Sequence, residues 1–104
     1  MTPAELQEEA ARVAAEYLET LPAKARALLD PEPTARQIAG AGDGYGCVTP
    51  GCVAAVGLAA ILIDAARRAG HRVPPWAISG VAMKATAHPT PPPAEVLRPL
   101  TALL

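Results

Sequence analysis

Hydrophobic positions recur at helical spacing through the first fifth of the chain. Leu6, Ala10, Val13, Tyr17 and Leu21 follow one another at intervals of four and three, which sets them on one face, while Glu5, Glu8, Glu9, Arg12, Glu16 and Glu19 fall mostly elsewhere. The pattern predicts an amphipathic surface helix. Its start is marked by Thr2, Pro3 and Glu5: a threonine hydroxyl to accept from a free amide, a proline with preset φ at the first helical position, and a glutamate to complete a capping box. Pro22 interrupts the periodicity and predicts a kink or a restart, with Thr20 capping a second short helix through Leu29. Asp30 to Pro33 is a stiff joint, after which Thr34 is expected to cap one or two turns ending near Ala39.

The pattern then changes. From Val53 to Ile63 every face is apolar, the mark of a helix surrounded by other helices, and Thr49, Pro50 and Gly51 repeat the capping logic at its start. This predicts a buried central helix over about 50–69, stopped by Gly70, in which Gly57 and its neighbouring alanines permit close crossings. A further helix is expected from Pro75 to about Ala87, largely buried because Trp76, Ile78, Val81 and Met83 cover more than one face. The run from His88 to Pro93 reads as an extended spacer before a last short amphipathic helix kinked by Pro99.

Composition supports that reading. The residues that favour strands never alternate over a useful length, whereas alanine, which loses no side-chain entropy in a helix, is abundant. The expected fold is all-α: a small orthogonal or bundle-like array of four to six helices, forming a single helical domain over 1–104. Seven arginines against two lysines, with no asparagine or phenylalanine, suggest a GC-rich bacterial genome. The net charge of −1 lacks the basic surplus of a nucleic-acid binder, so nucleic acid is not an expected partner. The first half is acidic and the second basic, which predicts attraction between them.

No basic, apolar and small-residue export pattern is seen in the first residues, so a cytoplasmic location is expected. No membrane span is expected either, since the apolar stretch from Cys52 to Ile63 falls short of the roughly 20 residues a bilayer requires.

Candidate chemistry concentrates in the Gly-rich loop 40–52, GAGDGYGCVTPGC, at the start of the central helix. Gly40, Gly42, Gly44 and Gly46 free the backbone for positive φ and close approach, and the loop delivers the chain to a helix N-terminus with open amides. Gly42, Asp43, Gly44, Tyr45, Gly46 and Thr49 are therefore candidate residues for binding a small molecule or an anion. The loop lacks the GK[ST] ending of a P-loop and follows no predicted strand.

Cys52 falls in the first helical turn, where the dipole lowers a thiol pKa, and Cys47 lies just before it. These two are the candidate catalytic residues. A Cys47–Cys52 disulfide is sterically possible and would be transient in a reducing cytoplasm; otherwise Cys52 is a small buried hydrophobe. The spacing is neither a CxxC redox motif nor, with distant His71 and His88, a zinc set, so no metal or cofactor is expected. A glycine-rich turn that delivers a cysteine to a central apolar helix resembles thiol hydrolases of the papain type. That resemblance implies Cys52 as nucleophile and a histidine on a strand, whereas His88 precedes Pro89 in the proline-rich run. Lys84 reads as a lysine whose stem lies on apolar surface while its ammonium reaches water.

Two functional expectations follow. One is a small all-α interaction or ligand-binding module that self-associates or takes a protein partner, since two nearly all-apolar helices are hard to cover in so short a chain. The other is a thiol-dependent enzyme or redox protein using Cys52 with Cys47. A catalytic Cys52 should be exposed and a packed one buried.

Overall fold

The computed structural model describes residues 2–29, 32–43, 48–87 and 92–102. Six helices and no strand are formed among them: α1 (Pro3–Thr20), α2 (Ala23–Ala27), α3 (Ala35–Gly42), α4 (Pro50–Arg68), α5 (Ala77–Ala85) and α6 (Pro93–Thr101). The all-α class and the central helix follow from the apolar pattern.

The threonine caps form where the sequence places them. In α1 the Glu5 amide donates to Thr2 Oγ1 at 3.2 Å and the Glu5 carboxylate accepts from the Thr2 amide, closing the capping box. Thr34 and Gln37 make the same reciprocal pair at α3. Pro22 ends α1 rather than bending it, and α2 starts afresh with Pro22 at its N-cap position and no side-chain cap. Thr20 is not that cap. Its hydroxyl turns back and donates to the Tyr17 carbonyl at 2.6 Å, closing the end of α1.

α4 is the axis on which α1, α3, α5 and α6 pack. Every residue from Cys52 to Ala59 is buried, as are Leu62, Ile63, Ala65 and Ala66, while Asp64, Arg67 and Arg68 reach water. By length and apolarity α4 is a helix able to cross a membrane, and 67% of its most apolar window is buried inside this chain. The core around it comprises Ala10, Ala14 and Tyr17 of α1, Ile38 of α3 and Val96 and Leu97 of α6, with Leu29 just beyond α2.

The contact between α3 and α4 is unusually close, and two glycines make it so. A Cβ on Gly42 would run into the Val53 carbonyl and lie 2.9 Å from the Gly57 amide nitrogen; one on Gly57 would run into the Ile38 carbonyl. Backbone therefore faces backbone across this crossing, which no side chain larger than hydrogen permits. The expectation of close crossings at Gly57 holds, and Gly42 supplies its counterpart.

α5 departs from expectation. It begins at Ala77, and only Val81 and Ala85 of it are buried. Ile78 and Ala82 are half-buried, whereas Trp76 and Met83 are 71% and 76% exposed. One side of α5 meets α4, and nothing else in the described chain covers the other. Among the described residues, Arg12 pairs with Glu9 and Glu16, Arg26 with Glu32 and Arg68 with Asp64.

Candidate functional site

The stretch from Gly40 to Cys52 divides into three parts. Its first part is helical, not loop: α3 runs on through Gly42 because its last turn is pressed against α4. Gly42 is buried with a packing reason for being glycine, and neither Gly40 nor Gly42 takes positive φ; among the described residues Gly70 alone does, at φ 94°. Asp43 follows as the C-terminal cap of α3, exposed, its amide donating to the Gly40 carbonyl at 3.2 Å.

Gly44, Tyr45, Gly46 and Cys47 lie outside the described residues. The third part resumes with Val48, 84% exposed, and with Thr49 as the N-cap of α4.

At that N-terminus most donors are already used. The Cys52 amide donates to Thr49 Oγ1 at 3.2 Å, the Val53 amide to the Thr49 carbonyl at 3.1 Å, and Pro50 has no N–H. Gly51 keeps the one open amide of the described first turn. An anion held by a helix N-terminus needs several convergent N–H groups, so this end of α4 offers little to one.

Cys52 is 2% exposed, in contact with the core, and its sulfur is disulfide-bonded. In this state it is neither a thiolate nor reachable by a substrate. No polar or charged side chain is buried among the described residues, and no three His, Cys, Asp or Glu side chains gather there. Lys84 and His71 are exposed, as the snorkelling reading of Lys84 requires.

Two surface features went unread in the sequence. The first is the outer face of α5, where Trp76, Gly80 and Met83 follow at spacings of four and three and all are exposed. That spacing was legible, but it marks one helical face without saying whether the face points inward or outward. The second is a furrow between α1 and α6. Both pack on α4 yet scarcely touch each other, leaving a cleft of about 390 Å³ that includes Tyr17, Leu21, Lys24, Ala25, Ala94 and Arg98 in its lining. Burial raises the Tyr17 phenol above its ordinary pKa, and a hydrogen bond from Thr101 opposes that shift.

Comparison with family models, with curated proteins and with solved structures returned no match.

Proposed function

We propose that this chain is a small all-α interaction module that self-associates through the outer face of α5. The carrying observation is the exposure of Trp76 and Met83, on either side of Gly80, on a helix whose inner side alone is packed. Large apolar groups set together at helical spacing on a surface are the usual mark of a contact face, and tryptophan and methionine are enriched in such faces.

Gly80 fits this reading. A Cβ there would meet nothing among the described residues, whose packing does not require glycine at that position, whereas a second α5 crossing over it could approach closely. Lys84 and Glu95 line one shallow cleft at the edge of this face, opposite charges that a two-fold contact can exchange. The module belongs in the cytoplasm on this proposal, with α4 as its core helix.

Sedimentation equilibrium tests the reading. The protein is expected to dimerise with a micromolar dissociation constant, and Trp76→Ala together with Met83→Ser should leave a folded monomer. A wild-type monomer at high micromolar concentration overturns it.

A second reading, redox chemistry at Cys52, is favoured by the oxidised state of its sulfur. On this reading Cys47, the other cysteine of the sequence, is the partner. Equilibration in glutathione buffers followed by alkylation and intact mass tests it. A bond that exchanges within the cytoplasmic range of potentials supports a redox role, and one that stays oxidised there makes it structural.

A further inference from the structure

We propose that the furrow between α1 and α6, closed at one end by α2, binds an amphiphilic anion: a single carboxylate carrying a linear apolar tail. Its volume, about 390 Å³, falls within the range of small-molecule sites, roughly 300–1,000 Å³. It continues into a second cleft of about 200 Å³, the two sharing Tyr17, Thr20 and Ala94.

The groove lining is mostly apolar, interrupted by the hydroxyl-bearing side chains of Tyr17, Thr20 and Thr101. Lys24 of α2 and Arg98 of α6 are the charged groups of the lining, and neither has a carboxylate within 4.0 Å among the described residues, whereas Arg12, Arg26 and Arg68 are ion-paired. From there Leu21, Ala25 and the Tyr17 ring lead past Ala94 to Val13 and Pro93 in the second cleft. The carboxylate near that far end belongs to Glu16, which is held by Arg12 at 2.8 Å.

Two cations without a carboxylate partner in the lining of a mostly apolar trough select a ligand with one anionic head and one apolar tail, the head toward Lys24 and Arg98. The trough exists because α1 and α6 flank α4 with little direct contact between them, and small residues such as Ala25 and Ala94 leave it unfilled.

The ligand class can be tested with octanoate, with octan-1-ol as its uncharged match, followed by amide chemical shifts of the whole chain. Octanoate is expected to bind one to one with a submillimolar dissociation constant, moving the amides of Tyr17, Ala25 and Ala94. Octanol should bind at least tenfold more weakly.

Arg98→Gln and Lys24→Gln, both at exposed positions, should each weaken octanoate about tenfold, Ala94→Trp should abolish binding, and Trp76→Ala should leave it unchanged. The amide spectrum itself reports whether each variant is folded. Lys24 and Arg98 also stand in the last turns of α2 and α6, where cations offset the helix dipoles. If that is their only role, the two Gln variants lose stability with octanoate affinity unmoved, and the proposal fails. It fails equally if octanoate moves no groove amide at millimolar concentration, if octanol binds as tightly, or if the shifts fall on α5.

Discussion

Gly40 and Gly42 stand two residues apart in α3, and their surroundings are opposite. A Cβ at Gly40 would meet nothing among the described residues, while at Gly42 it would meet the backbone of α4. Gly40→Ala should therefore stabilise the protein by about 0.5–1 kcal/mol through lower chain entropy in the unfolded state and better helix propensity. Gly42→Ala and Gly57→Ala should each destabilise it by about 3 kcal/mol, since the obstruction is backbone and cannot rotate away. Urea unfolding of the three variants checks the contrast. The sequence carries no sign of this difference: both glycines belong to the same alternating run, and only the helix lying opposite separates them. The threonine caps were legible for the reverse reason, since Thr2, Thr34 and Thr49 act on amides within their own first turn. Thr20 shows the limit of that logic, because its hydroxyl has a nearer acceptor in the Tyr17 carbonyl.

The helices themselves were legible wherever one period governed a whole segment. α1 announces its buried face through Ala10, Ala14 and Tyr17, and α4 announces its burial by having no polar face until Asp64. α5 was placed but misjudged: a count of apolar residues cannot say how many neighbours are left to cover them once α1, α3 and α6 have taken their share of α4. The proposed site was readable only in its parts. Thr49 caps and Cys52 is packed, but Gly42 went to helix contact, and the groove is formed by elements more than 70 residues apart in the chain, Tyr17 and Ala94 among them.

The Tyr17 phenol gives α1 an alkaline signature. Its folded pKa is raised by burial above the ordinary value near 10, so the folded state holds the proton more tightly than the unfolded chain. The stability linked to this proton is whole below pH about 10 and is lost as pH rises through the folded pKa. In a Tyr45→Phe background, the tyrosinate absorbance should therefore titrate later than that of a free tyrosine, and unfolding should accompany it.

At the scale of the molecule, one helix carries the core. Leu58→Ala or Leu62→Ala, both at fully buried positions, should cost about 2–5 kcal/mol, a large part of the roughly 5–15 kcal/mol by which domains of this size are stable. A thermal melt followed by circular dichroism should show either variant largely unfolded near physiological temperature. The backbone contact between α3 and α4 also has a kinetic consequence. Where two main chains touch, there is no side-chain layer that can loosen first, so the amides around Val53 and Gly57 cannot meet solvent through a small local opening. Their hydrogens should exchange with deuterium only when the whole protein unfolds, while those of α2 and of the outer side of α5 exchange through fluctuations that leave this crossing intact.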